Sequence, residues 1–411
     1  MTDDADKHAV KTAAWLPHSI FEAGFDETAP ADLRSSWKHL LDRLNSASQV
    51  VLDDAVSRTP RDAAAGIRHL LVLLAAGADE VLGFDPQPAP VLRPAAMNDK
   101  LSWGMECPDC LYHRAALQSG ASYRLFGNRG TARYVGLQTM DGIASTANAL
   151  VDELEVDADG NFEVILSADR QPGNWLQLAG AHPVLTIRHF FYDWDTEVPS
   201  SLALEQISEV PGRQPFSPPL ESALPGQLSA VGDFVLDNLT FFLQFGGAPP
   251  ANGFLPPADF SAQGAAAENR PVIGRWELQP DEALVLEIEP PNGVYWSFSL
   301  GNPWWETIHY GRHQSSLNGY QAAVDPDGRV RVVVSAEDPG IANWLDTAGF
   351  SNGALILRCV RTDTAPVPAV MRAKFSELEA ILPKGVSRVS PDERVAQLAA
   401  RRRAVSERFA R

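Results

Sequence analysis

Ser167-Ala168-Asp169-Arg170-Gln171-Pro172-Gly173-Asn174-Trp175-Leu176 returns later in the chain as Ser335-Ala336-Glu337-Asp338-Pro339-Gly340-Ile341-Ala342-Asn343-Trp344-Leu345. Each copy is preceded by an Asp-Gly pair, Asp159-Gly160 and Asp327-Gly328, and followed by an arginine, Arg188 and Arg358. Ordered short motifs returning at a long, nearly constant period mark one folded unit used twice. Asp-Gly tolerates positive φ and is a hairpin signal, so each unit should be β-rich.

Strand-like runs surround both copies. In the first unit they lie at 111–115, 123–131, 134–139, 153–156, 162–166 and 184–192; in the second, at 284–288, 294–300, 330–334 and 354–360. Upstream the period is helical. Leu33, Trp37, Leu40, Leu41 and Leu44 share one face, and Ile67, Leu70, Leu71 and Leu74 another, with Thr59-Pro60 as a start signal and Gly77 as a stop. A stiff Pro-rich connector covers 85–90, a central helix is expected over 230–245, and the tail from Pro366 reads as helical, its Arg401-Arg402-Arg403 run as a solvated face. The expectation is a mixed α+β, predominantly β protein: two tandem jelly-roll-like or β-sandwich halves with N-terminal, central and C-terminal helices. The boundaries expected are 1–94 helical, 95–200 first β half, 201–270 connector, 271–362 second β half and 363–411 helical tail.

The bulk numbers bound the function. The 411 residues carry 34 basic and 52 acidic side chains, a formal charge of −18, which argues against nucleic acid because that affinity rests on Lys and Arg. The acidic start Met1-Thr2-Asp3-Asp4 lacks the features of a secretory signal, and the longest apolar run, 70–76, is far short of a membrane span, so a cytoplasmic protein with no membrane partner is expected. The odd number of cysteines, Cys107, Cys110 and Cys359, fits a reducing compartment. Cys107-Pro108-Asp109-Cys110 has redox or zinc spacing, but no second ligand pair accompanies it and a strand rather than a helix follows, so no metal or other cofactor is expected.

The densest polar and aromatic stretch is 301–319, a loop after a strand carrying Trp304, Trp305, Glu306, His309, Tyr310, Arg312, His313, Gln314 and Asn318. Loops on rigid β scaffolds are where sites are built. Glu306, His309 and Tyr310 are candidate proton-transfer groups, Trp304 and Trp305 candidate walls, and Arg312, Gln314 and Asn318 candidate orienting groups. Tyr112 and Arg129 are further candidate substrate contacts near Asp109, although strand alternation splits that neighbourhood between two faces. Asp193, Asp195 and Glu197 could share one side of a strand and hold a hard cation, or simply cap a strand end. The repeated Asn-Trp pairs read as structural, the amide tying down a loop, with Asp346 the more interesting neighbour. Nucleophile elbow, zinc-protease helix, P-loop and dinucleotide fingerprint have no matching stretch.

Taken together, Pro108-Asp109 with Tyr112, Tyr123-Arg124 with Asn128-Arg129-Gly130, Asn174-Trp175-Leu176, Asp193-Trp194-Asp195-Thr196-Glu197, Leu300-Gly301-Asn302, Tyr310-Gly311-Arg312 and Gln314-Ser315-Ser316-Leu317-Asn318-Gly319 make a familiar set. The chain resembles domain-of-unknown-function family 1214 together with its frequent companion, family 1254, over most of 95–360. This chain has Cys107 and Cys110 where the family's first motif is usually Asn-Pro-Asp-Asn. The resemblance implies β-rich, jelly-roll-like halves with flanking helices and carries no catalytic assignment.

The functional expectation is a cofactor-independent enzyme using acid–base chemistry on a small apolar or aromatic metabolite, with hydrolase, lyase and isomerase unresolved and a homo-oligomer open. The alternative is a non-catalytic carbohydrate- or metabolite-binding protein. An acid and a base converging on one point would mark the enzyme; an open aromatic groove would mark the binder.

Overall fold

In a computed structural model the described residues are 33–83, 90–142, 144–208, 220–261, 265–266 and 268–409. Most of the Pro-rich connector expected at 85–90 lies outside them. The first unit holds β1 (Arg93–Pro94), β2 (Cys110–Ala116), β3 (Tyr123–Asn128), β4 (Tyr134–Asp141), β5 (Ala144–Leu150), β6 (Asn161–Ser167), β7 (Trp175–Gln177), β8 (Pro183–Phe190) and β9 (Ser201–Gln206). The second holds β10 (Gly253–Phe254), β11 (Val272–Glu277), β12 (Glu282–Ile288), β13 (Gly293–Leu300), β14 (Ser316–Asn318), β15 (Val330–Ser335), β16 (Trp344–Asp346), β17 (Asn352–Thr362) and β18 (Ala369–Lys374).

The two units share one topology. Sheets ordered β1-β2-β8-β4-β5 and β7-β6-β3-β9 in the first are matched by β10-β11-β17-β13-β14 and β16-β15-β12-β18 in the second. Even the register repeats: the parallel pairs place Ile165 opposite Trp175 and Val333 opposite Trp344. Alternation sends Tyr123, Leu125, Val164 and Leu166 into the first core, and Leu284, Leu286, Val332 and Val334 into the second. The repeated motifs build the same joints. Asn174 accepts from Glu155 N (2.8 Å) and donates to Glu155 O (2.8 Å); Asn343 does the same with Ala323 (2.8 and 2.7 Å). Each following indole N–H donates to the motif serine, Ser167 or Ser335, at 3.0 Å. Gly160 and Gly328 adopt φ of +84° and +82°, as the Asp-Gly turns demand.

Helices α1 (Leu33–Val51), α2 (Pro60–Leu82) and α3 (Leu220–Gly247) pack together around Val51, Leu73 and Phe234. A capping box between Thr59 and Asp62 starts α2. The helix runs on past Gly77, which serves instead as a contact point: a Cβ there would lie 2.8 Å from the Phe234 ring. Short helix α4 (Leu378–Ile381) covers the outer face of β12 and β15 through Leu378, Leu382 and Val386, and α5 (Pro391–Phe409) closes the chain. Among the described residues no helix is long and apolar enough to cross a membrane.

Several local expectations are corrected. Residues 151–153 form a 3-10 turn, leaving only the bridge between Val156 and Phe162 where a strand is expected over 153–156. Strand β9 and strand β10 lie inside the expected connector, β14 inside the expected long loop, and β18 inside the expected helical tail. These are short or edge strands whose pairing is decided by the partner sheet rather than by local pattern. The expected solvated face of the C-terminal helix is wrong at Arg401: Arg394, Arg401 and Arg408, one every seven residues, are buried against Trp344, Trp194 and Phe191.

Candidate functional site

The turn after β13 is tied by Asn302, whose Oδ1 accepts from Trp304 N (2.9 Å) and Glu306 N (3.2 Å) and whose Nδ2 donates to Glu306 Oε2 (2.7 Å). The turn drives Trp305 to a φ of 59°. Both tryptophans are buried, but in the helical layer. Trp304 donates its indole N–H to Asp62 O (2.9 Å), and Trp305 stacks with Phe242 and Phe245 at 5.5 and 5.0 Å between ring centroids. Glu306, 5% exposed, points at α2, with Arg68 Nη1 at 3.0 Å and the fully buried His69 Nδ1 at 3.2 Å.

A second turn leads into β2 and meets the first. Met105 N donates to Trp305 O (2.9 Å), and Met105 is itself left-handed at φ 52°. Each of these bulky left-handed residues is followed directly by a buried glutamate, Glu106 or Glu306. Positive φ at such side chains costs about 1–3 kcal/mol each and is concentrated at functional sites. The two carboxyls sit in different settings. Glu306 faces a guanidinium and an imidazole, whereas Glu106 has neutral donors: Ser102 Oγ donates to its Oε2 (2.6 Å) and Thr307 Oγ1 to its main-chain carbonyl (2.7 Å). Burial therefore pushes the Glu106 carboxyl well above its ordinary range, with a smaller push from the Glu306 charge.

Tyr310 completes the group. It is 1% exposed, its hydroxyl has no hydrogen-bond partner, and burial first and the nearby Glu106 second push its pKa well up. His309 is half-buried with Nδ1 unpartnered, and desolvation followed by Arg312 lowers its pKa. Arg312 is exposed, and Gln314 is spent on Ala342 O, Trp344 O and Arg394. His313, by contrast, meets Asp346 at 2.7 Å.

Asn318 belongs to a neighbouring knot centred on Asp109, which is completely buried. Asp109 accepts from Trp194 Nε1 (2.6 Å), Tyr295 OH (2.6 Å) and Asn318 Nδ2 (2.9 Å), so it joins the two β units. Tyr112 accepts from Cys107 N (3.1 Å) on the rim of this knot. Arg129 is elsewhere, paired with Asp152 at 2.5 Å. Both thiols of the C-x-x-C stretch are buried; burial pushes Cys107 up to about 11 and Cys110 well up also. Of the acidic string, Glu197 accepts from the main chain of Tyr192, Asp193 and Arg133, and Asp193 from Thr196, so these carboxylates cap a turn. An open groove of about 770 Å³ lies apart from all this on the first unit, with Arg124, Phe126, Asp157 and Glu163 among its walls.

Glu106, His69 and Arg408 escape the sequence reading. Glu106 sits in an unremarked Trp-Gly-Met-Glu stretch and His69 in an amphipathic helix; only the seven-residue spacing of Arg394, Arg401 and Arg408 was a visible signal.

The chain matches at 29% identity an uncharacterized protein of known crystal structure from Burkholderia cenocepacia, covering 84% of this chain and 98% of that one with a TM-score of 0.77. A structure from Vibrio parahaemolyticus matches at 11% identity over 74% of this chain and 98% of that one, with a TM-score of 0.45. No curated protein matches at a significant level. Residues 277–364, the bulk of the second β unit, match the family model described as protein of unknown function DUF1214. By that match, and by the motifs from Leu300 to Asn318 that lie within it, the second unit of this chain is a member of the DUF1214 family.

Proposed function

We propose that this protein is a cofactor-independent enzyme performing acid–base chemistry on a small apolar or aromatic metabolite, with Glu106 and Glu306 as the opposed proton-transfer groups. The observation that carries this reading is the pair of joined turns, each spending a left-handed non-glycine residue to seat a buried glutamate. Two titratable groups in contrasting environments are the pattern of an acid and a base. Burial raises the Glu106 carboxyl and so suits it to give a proton; Glu306, oriented by Asn302, His69 and Arg68, is placed to take one. Tyr310 supplies a hydroxyl near Glu106. The roles expected of Trp304 and Trp305 as walls and of His309 as a proton carrier pass to Tyr310, His69 and Glu106. The non-catalytic alternative would use the open groove on the first unit, whose walls carry Phe126 but no tryptophan.

The test is incubation of the full-length protein with a fractionated small-metabolite extract, read by mass spectrometry against Glu106→Gln and Glu306→Gln. The expected result is at least one compound consumed by the wild type and spared, by roughly a hundredfold in rate, by both variants. Consumption at equal rates by all three proteins would sink the reading.

A further inference from the structure

Three buried polar atoms have no hydrogen-bond partner: Glu106 Oε1, Tyr310 OH and Arg408 Nη2. Their residues are 2%, 1% and 7% exposed, and the Tyr310 hydroxyl is electrostatically coupled to both the others. Two of the three are donors, Tyr310 through its O–H and Arg408 through its N–H; the third, Glu106 Oε1, belongs to a carboxyl whose Oε2 already accepts from Ser102 and whose burial favours the protonated form. Leaving a buried donor unmade costs about 1–3 kcal/mol each, so the two donors packed against Trp194 call for an acceptor.

The charge balance agrees. Arg408 donates through Nη1 to Pro108 O (2.6 Å) and lies over Phe191 and Trp194 at 4.9 and 4.5 Å from their centroids. Arg401 donates to Tyr310 O (3.1 Å) and Ser316 Oγ (2.7 Å). Neither forms a salt bridge among the described residues, although both are buried. Asp109 is the one carboxylate both sense most strongly, and it is engaged by three neutral donors. With Arg358, also buried and without a salt bridge, the guanidiniums of this region outnumber the one carboxylate and leave positive charge unmatched, an arrangement that is expensive in a protein interior.

We propose that Arg408, Tyr310 and Glu106 form the recognition site for a carboxylate, so that the ligand of this centre is a small aromatic or apolar monocarboxylate. The proposal rests on the acid–base reading for its location and adds the class of substrate. Unmatched positive charge calls for an anion, and Arg408 offers a planar edge to a planar carboxylate.

The experiment is equilibrium binding to the full-length protein, followed by tryptophan fluorescence because Trp194 lies on Arg408. The probes are benzoate, phenylacetate, benzamide, phenylacetamide and inorganic phosphate. At least one carboxylate should saturate, with its amide and phosphate at least tenfold weaker. Arg408→Met and Tyr310→Phe should each weaken that carboxylate tenfold or more. Tyr310→Phe removes a single oxygen and keeps the test alive if Arg408→Met fails to fold. Equal binding of acid and amide, preference for phosphate, no saturation by either carboxylate, or undiminished binding by Tyr310→Phe would overturn the proposal. Carboxylate binding in a protein that consumes nothing from the metabolite extract would remove the enzyme and leave the carboxylate site; consumption of a neutral compound alone would do the reverse.

Discussion

Desolvation raises the Glu106 carboxyl well above its ordinary value of 4.5, and that shift couples folding to pH. The folded state keeps a proton that the unfolded chain releases. The contribution of Glu106 is therefore fully present below the ordinary value and is lost as pH rises toward the folded value. Urea unfolding of wild type and Glu106→Gln between about pH 5 and about pH 8 should show the wild type losing stability relative to the variant as pH rises. Parallel pH profiles would mean that Glu106 is not held neutral. Neither this residue nor His69 could be picked out along the chain. An isolated glutamate and an isolated histidine carry no local pattern, and their chemistry comes from which neighbours the fold excludes. Glu306 was visible because its loop collects aromatic and titratable groups, while the Trp304 and Trp305 beside it are turned into the helical layer, where their large apolar area is better buried.

At the scale of elements the repeated Asn-Trp joints make a paired prediction. Asn343 is 2% exposed and satisfies both main-chain groups of Ala323, so Asn343→Ala should cost about 2–3 kcal/mol in urea unfolding by leaving them unpaired. Asn174 makes the same bonds to Glu155 but is partly exposed, and water can replace it; Asn174→Ala should cost about 1 kcal/mol. Equal losses would deny that burial sets the difference. Here the sequence was most legible, because a joint needed twice is written twice. Among the strands that escaped it, β5, β9, β10, β14 and β18 are short or at sheet edges, where half-exposed or polar residues carry no clean alternation.

For the whole molecule the decisive contact is Asp109, where Trp194 of the first unit meets Tyr295 and Asn318 of the second. Asp109→Ala would strand three donors and leave the buried Arg401 and Arg408 without their shared counter-charge. A loss of about 3–5 kcal/mol is expected, as for breaking a buried ionic network, measured by chemical denaturation followed by tryptophan fluorescence. A loss below about 1 kcal/mol would show that the units are held by apolar packing instead.

What the sequence determined by itself is the architecture: ordered motifs at a constant period, Asp-Gly turns and strand alternation are local properties, and local properties survive in a linear reading. The tertiary structure alone decided the site. Glu106 and Glu306 stand about half the chain apart, His69 comes from a helix before either β unit, and Arg408 from the last helix. The raised carboxyl of Glu106, the strain of the two turns and the missing partners are set by desolvation and by groups brought close through packing, and these have no trace in sequence spacing.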